Sequence, residues 1–290
     1  MKRIVRAPAK LNLGLDAPFV HPDGSIEWRM VMTSIGLSDH IQINATSSHS
    51  AIRILSNSGF LPNDRRNLAY QAARLFFDQV GFKVGLEISI EKKIPVAAGL
   101  GGGSSDAAAV LRGLNDMFQT GLSFEELAKI GIQVDSDVPY CVYSRTALVS
   151  GRGETVTPLP KLPKMWFVLA KPHVSVSTPK ILKQLATTAV THPPIDELLA
   201  GIENEDYDRI VAHIGNSLEG ITTASHPQIN TLKSRLIEYG ADGSQMSGSG
   251  PTVFGICRTE SRAHRVYNSI SGFCNEAYIS QPECDSYPVI

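Results

Sequence analysis

The chain has 290 residues, of which 42% are hydrophobic and 19% charged, an ordinary globular composition long enough for two domains sharing a cleft. A formal net charge of -1, with no basic run longer than Arg65-Arg66 or Lys92-Lys93, excludes the electrostatic footprint of a nucleic-acid or acidic-membrane binder and points to a small-molecule partner. No segment approaches the ~18 apolar residues of a membrane span and no apolar stretch follows the basic start, so a cytoplasmic protein is expected.

Short β-type runs open the chain at residues 3–6, 11–15, 40–44, 51–55 and 84–90. In the last of these Val84, Leu86, Ile88 and Ile90 alternate, the period of a half-buried strand. A first sheet, antiparallel in part, is predicted. Residues 67–80 place Leu68, Ala72, Leu75 and Phe76 at helical spacing, and residues 105–118 do the same with Ala109, Leu111 and Leu114. Ser123-Phe124-Glu125-Glu126 has the form of a capping box and announces a third helix. Pro158, Pro160 and Pro163 suit a crossing between domains, so the boundary is placed near residue 160. Beyond it a strand is predicted over 165–170, helical pieces over 195–199, 207–216 and 229–239, the last stopped by Gly240, and a strand over 253–257. The Thr/Pro-rich stretch 187–194 is a surface loop. Cys141, Cys257, Cys274 and Cys284 form no C-x-x-C pair and have no histidine at ligand spacing, which predicts reduced thiols, with neither a zinc site nor a disulfide framework.

The loudest local signal is Pro95-Val96-Ala97-Ala98-Gly99-Leu100-Gly101-Gly102-Gly103-Ser104-Ser105, which follows the alternating strand and leads into an alanine-rich helix. Glycines let backbone N–H groups approach a ligand closely, and a helix N-terminus adds unpaired donors and partial positive charge, so the segment reads as a phosphate cradle. It is not a Walker loop, because the chain has no Gly-Lys pair. It is a poor dinucleotide fingerprint, because Ser104 stands where a third glycine is needed. Lys10 and Asn12, two apart in a strand-like stretch, leave on one face. By themselves they suit a solvated strand, as Asp135 and Asp137 suit a turn or cap. The cluster Met246-Ser247-Gly248-Ser249-Gly250 is either a tight turn or a second phosphate-facing loop, and Asn67 has the position of a helix N-cap.

Taken together and in order, Ala7-Pro8-Ala9-Lys10-Leu11-Asn12, Gly99 to Ser105, Ser136-Asp137-Val138-Pro139 and Met246 to Gly250 resemble the motifs of the GHMP small-molecule kinases, and the resemblance runs over nearly the whole chain. It is closest to the branch that phosphorylates a cytidine-diphosphate-linked methylerythritol in non-mevalonate isoprenoid biosynthesis. It implies an α+β, two-domain GHMP kinase fold, with an N-terminal ATP-binding domain over 1–160, a C-terminal domain over 161–290 and the active site in the inter-domain cleft. ATP and Mg2+ are the implied cofactors, in a monomer or homodimer. Asp137 would accept the proton of the acceptor hydroxyl, and Lys10 would polarise that hydroxyl or the transferring phosphoryl group. Pro95 to Ser105 would wrap the ATP phosphates, with Ser104 or Ser105 meeting Mg2+ or a phosphate oxygen. Asn67 would lie near adenine and Asn12 near the substrate. Asp106 reads as a first-turn carboxylate or a metal partner.

Where the family reads Asp-Gly-Tyr-His, with the last two residues holding cytosine, this chain reads Asp23-Gly24-Ser25-Ile26, and Leu182 aligns with a second family aromatic. Trp28 and Tyr140 are the aromatics that could take over. A kinase for a different alcohol, and an ATP-binding regulator without turnover, therefore stay open at this point.

Overall fold

The structure, a computed structural model, describes residues 1–46, 51–274 and 276–283. Two long strands, β1 (Lys2–Val20) and β2 (Ile26–Thr46), pair antiparallel along almost their whole length. The separate strands predicted at 3–6 and 11–15 are one, because register shifts beyond Pro8, Asn12 and Asp16 let pairing continue past the proline. Of β2 the sequence predicts only residues 40–44. Its middle, Met30 to Ile35, is buried without a break and so offers no alternation to read.

There follow β3 (Ile52–Ser56), α1 (Leu68–Val80), β4 (Gly85–Glu91), α2 (Gly102–Phe118), α3 (Phe124–Gly131), α4 (Val138–Tyr143), β5 (Ala147–Gly151) and β6 (Thr155–Pro158). The rest of the chain forms β7 (Trp166–Lys171), α5 (Thr178–Leu185), α6 (Ile195–Glu203), α7 (Tyr207–Ala212), β8 (Gly215–Asn216), α8 (Glu219–Ser225), α9 (Gln228–Glu238), β9 (Gly243–Met246), β10 (Val253–Cys257), α10 (Glu260–Ile270) and β11 (Glu276–Ser280). A seven-stranded sheet runs β3-β4-β2-β1-β8, with β5 and β6 continuing from the start of β2. A four-stranded sheet runs β11-β7-β10-β9. The chain passes from one sheet to the other through the prolines after β6.

Local chemistry explains the helices that carry the site. Asn67 caps α1 by accepting from Ala69 N–H, and α3 has the full capping box of Ser123 and Glu126. The helix predicted over 105–118 begins three residues earlier, inside the glycine run, because left-handed Gly101 (φ +65°) turns the chain directly into it. α2 is buried almost all round, and its alanines let it lie close against β1, α1 and α4. The helix predicted over 207–216 stops at Ala212. Gly215 and Asn216 instead pair parallel with Gly14 and Leu15 as β8, which places the C-terminal half of the chain on the edge of the first sheet. The stretch 187–194 is irregular, as predicted. Cys141, Cys257 and Cys274 are free and buried, and Cys284 lies outside the described residues.

β1 separates two hydrophobic clusters. Val5, Ala7 and Leu15 belong to the core beneath α1 and α2, whereas Ala9, Leu11 and Leu13 pack with Phe167, Phe254, Ile195 and Leu198 from the C-terminal half. With Ala9, Leu11 and Leu13 turned into that core, alternation aims Lys10 and Asn12 the other way, into a cleft.

Candidate active site

The glycine loop forms a wall between two cavities. One, about 260 Å3, is lined by Leu61, Leu68, Lys92 and residues 95–104. The other, about 580 Å3, is lined by Lys10, Asn12 and Asp137, by Ile26, Trp28 and Met30 of β2, and by residues of the C-terminal half that include Leu182, Gly248 and Ser249. Gly99 and Gly101 border both.

Ala97, Gly99 and Gly101 alternate in the left-handed region, at φ +52°, +74° and +65°. Such alternation turns successive backbone N–H groups toward one side, the concavity that binds anions. The first helical hydrogen bond of α2 runs from Ser105 N–H to Gly101 O (2.8 Å), so the N–H groups of Gly102, Gly103 and Ser104 have no helical acceptor and head the positive end of the helix. The second glycine cluster braces the first. Ser247 Oγ donates to Gly99 O at 2.9 Å, and a Cβ on Gly99 would meet Ser247 O and come within 2.9 Å of Gly250 O. Asn216 holds that cluster in turn, donating to Met246 O and Gly248 O at 2.9 and 2.8 Å.

Lys10 lies over Gly101, where a Cβ would stand 2.8 Å from its Cγ. Its buried ammonium donates to Asn12 Oδ1 at 2.6 Å and stands 3.5 Å from Asp137 Oδ2. Asp137 occupies the N-cap of α4 yet makes no side-chain cap bond, so its carboxylate, 28% exposed, faces the cavity. Arg112 fixes the far end of α4 by donating to Cys141 O at 2.5 Å. Asp135 serves the turn, accepting from Asp137 N–H at 3.1 Å, but it also accepts from Ser104 Oγ at 2.8 Å. Burial, then the neighbouring Asp137 charge, raise its pKa above the ordinary carboxylate value.

The structure thus gathers Lys10, Asn12, Asp137 and the loop from Pro95 to Ser104 around one junction. Ser105 is placed behind it, fully buried, and lines neither cavity. Asn67 uses both polar groups of its side chain within the chain, accepting from Ala69 N–H and donating to Pro62 O. Ser25, Ile26 and Leu182 all line the larger cavity, and so does Trp28, whereas Tyr140 is fully buried and bonded to Ser34 Oγ at 3.0 Å, out of reach of a ligand. Asn216 and Lys92 carry no sequence signal of their own. Both join segments far apart in the chain, which a local pattern does not report.

Comparisons with known proteins bear on the family and the fold. Residues 67–145 match the profile of the GHMP kinases N terminal domain, and residues 198–276 that of the GHMP kinases C terminal domain. A 4-diphosphocytidyl-2-C-methyl-D-erythritol kinase of Levilactobacillus brevis is 57% identical over 97% of this chain and 99% of its own length. One of Lactiplantibacillus plantarum is 56% identical over 97% and 98%. Among solved structures, a 4-(cytidine 5'-diphospho)-2C-methyl-D-erythritol kinase superposes with a TM-score of 0.81 at 30% identity over 98% of this chain and all of the other. A homoserine kinase of Cytophaga hutchinsonii, at 21% identity and a TM-score of 0.83, covers all of this chain and 97% of its own and shares the fold.

Proposed function

The chain belongs to the GHMP kinases, among the 4-diphosphocytidyl-2-C-methyl-D-erythritol kinases, and from that premise we propose how its residues transfer the γ-phosphoryl group of ATP to the 2-hydroxyl of 4-diphosphocytidyl-2-C-methyl-D-erythritol. One observation carries the assignment of roles: Gly99 and Gly101 border both cavities, and the Lys10–Asp137 pair stands where those cavities meet. ATP lies along the smaller cavity with its phosphates on the N–H groups of Gly102, Gly103 and Ser104, and Asn67 shapes the start of α1 on the adenine side. The acceptor fills the larger cavity with its hydroxyl at Asp137, beside Asn12. Asp137 takes the hydroxyl proton, and the Lys10 ammonium faces the charge that builds up on the transferring group. Phosphoryl transfer is loosely bonded at its transition state, so holding the reactants in line supplies much of the acceleration, of the order of 7–11 kcal/mol.

The donor set suits Mg2+. Asp135 and Ser104 offer hard oxygens beside the loop, bonded to each other at 2.8 Å, and Asp137 adds a second carboxylate two residues along from Asp135. When bound there with phosphate oxygens, the ion neutralises phosphate charge. Among the described residues no helix is long and apolar enough to cross a membrane; a cytoplasmic location is part of the proposal. The division into residues 1–160 and 161–290 belongs to the same reading and falls between β6 and β7.

The test is ATP consumption by the purified protein with Mg2+, comparing this acceptor, no acceptor, and a panel of small alcohols that includes homoserine. Phosphorylation of the methylerythritol 2-hydroxyl, lost in Asp137→Ala, is the expected result. Transfer to a panel alcohol in preference to this acceptor would overturn the substrate, and nucleotide binding without transfer to any acceptor would overturn the catalytic assignment.

A further inference from the structure

The smaller cavity changes character along its length. Gly102, Gly103 and Ser104 line it where the phosphates are placed. Next to them Leu68 Cδ1 stands 3.4 Å from where a Cβ on Gly103 would be, and from there the cavity is apolar, lined by Leu61, Leu68 and Val96. At about 260 Å3 it falls below the roughly 300–1,000 Å3 of a pocket that encloses a small ligand. A nucleotide whose phosphates lie on the glycine loop therefore has its base only partly covered, resting on Leu61, Leu68 and Val96 with one face toward solvent. Among the described residues that line this cavity, none carries an aromatic ring.

The chain places such a ring beside it. Phe60, immediately before Leu61, is 88% exposed, the most exposed large hydrophobic side chain among the described residues. Single exposed apolar side chains are ordinary on protein surfaces, so what counts is where this one is held. Both ends of its loop, residues 57–62, are tied to walls of the cavity. At the start Asn57 Oδ1 accepts from Lys92 N–H at 2.8 Å, and the Lys92 ammonium is itself fixed by Asp39 and Asp106 at 2.5 and 3.0 Å. At the end Pro62 O accepts from Asn67 Nδ2 at 2.9 Å, and Asn67 caps the helix that begins with Leu68. The tip between these anchors is held loosely. Phe60 N–H reaches Ser58 Oγ at 3.4 Å and Leu61 N–H reaches Ser58 O at 3.5 Å, both long for such bonds, and nothing lies within 4 Å of a Cβ added to Gly59. The tip has room to turn while its ends stay in place.

We propose that Phe60 is a nucleotide-binding residue: the tip at residues 58–61 folds in over bound ATP and lays the Phe60 ring on the open face of the base, opposite Leu68 and Val96. The inference rests on the reading that ATP lies along this cavity with its phosphates on the glycine loop. In the free protein the ring stands in water; a bound base supplies a flat apolar surface, and ring and base then leave water together. The movement is short, because Leu61 already lines the cavity and adjacent Cα atoms are about 3.8 Å apart. Stacking tolerates any base, so Phe60 favours a nucleotide over a bare polyphosphate without selecting adenine by itself. Neither Phe60 nor Leu61 borders the larger cavity, so the contact serves the nucleotide and not the acceptor.

The experiment is calorimetric titration of the full chain with ADP and, separately, with inorganic tripolyphosphate, each with Mg2+, for wild type, Phe60→Ala, Phe60→Leu and Phe60→Trp. Phe60→Ala should weaken ADP binding roughly 5- to 150-fold, the worth of one base stacked on an aromatic ring. Tripolyphosphate affinity and the thermal midpoint should stay where they were, because the exposed ring packs on little in the free protein. Phe60→Leu, apolar but without a ring, should recover only part of the loss. Phe60→Trp should bind ADP as the wild type does, and should show a change in indole emission with ADP that the wild type lacks and that tripolyphosphate does not produce. Unchanged ADP affinity in Phe60→Ala, or an equal loss for tripolyphosphate, overturns the inference while leaving the kinase reading intact. Failure of the wild type to bind ADP at all would instead remove the reading on which it rests.

Discussion

The two cavities that meet at Gly99 and Gly101 are built from different material. The nucleotide side is backbone: left-handed turns at residues 97, 99 and 101, the free N–H groups of α2, and a second glycine cluster in carbonyl contact with the first. The acceptor side beyond the Lys10–Asp137 pair is side chain, with Ile26, Trp28 and Met30 of β2 facing Leu182 and Ala186 across the cleft. A backbone site constrains residue type through conformation, so its sequence stays readable and its substitutions are costly. A side-chain wall can exchange its residues and still bind, provided another group offers a similar surface.

The sharpest break of that comparison lies where the two sides meet. Asp137→Asn removes the proton acceptor without changing shape and should lower kcat by about 10²–10⁴, with KM for ATP little changed because Asp137 lines the acceptor cavity and not the nucleotide one. Steady-state kinetics with both substrates varied measures this. Loss of ATP affinity with kcat intact would move Asp137 out of the catalytic role.

Next comes a pair of glycines. Gly99→Ala forces a side chain into a left-handed residue and against the carbonyls of Ser247 and Gly250, and should cost about 1–3 kcal/mol in stability together with nucleotide affinity. Gly24→Ala, on the acceptor rim, has the same sign of φ but nothing within 4 Å of the added Cβ, so it should cost only about 1–2 kcal/mol and leave ATP binding alone. Thermal melts and ADP titration separate the two. Equal losses of nucleotide affinity would mean that the contrast between backbone and side-chain walls is mistaken.

On the side-chain wall itself, Trp28 is the aromatic among the residues lining the acceptor cavity, and its indole N–H has no hydrogen-bond partner among the described residues. A base stacked on an aromatic is worth about 1–3 kcal/mol. Trp28→Ala should therefore raise KM for the acceptor by roughly 5- to 150-fold, with KM for ATP unchanged. An unaltered acceptor KM would show that the base is held elsewhere.

The same contrast explains what could be read in advance. The glycine loop, the capped helices α1 and α3 and strands β4 and β10 are local patterns, and each lies within a few residues of its predicted place. Lys10 and Asp137 are legible only through the motifs around them, since each alone suits a bland strand or turn. What stayed hidden was non-local. The middle of β2 is buried on both faces and shows no period, α4 is six residues placed by Arg112 from another helix, and Asp39 joins Lys92 and Asp106 across more than fifty residues of sequence.

Tyr140 gives the smallest effect and the cleanest control on Trp28. Both aromatics lie close to recognised motifs, and nothing in the sequence ranks one above the other as a replacement for the missing base contacts. The fold decides, because Tyr140 turns inward on α4 and bonds Ser34 of β2, while Trp28 stands on the cavity side of the same strand as Ile26 and Met30. Tyr140→Phe should therefore cost about 1 kcal/mol of stability for the buried hydrogen bond, visible as a lowered denaturation midpoint, and leave both KM values where they were. A rise in acceptor KM comparable with that of Trp28→Ala would mean that the acceptor wall extends to α4, and that the backbone carrying Asp137 responds to the base end of the substrate.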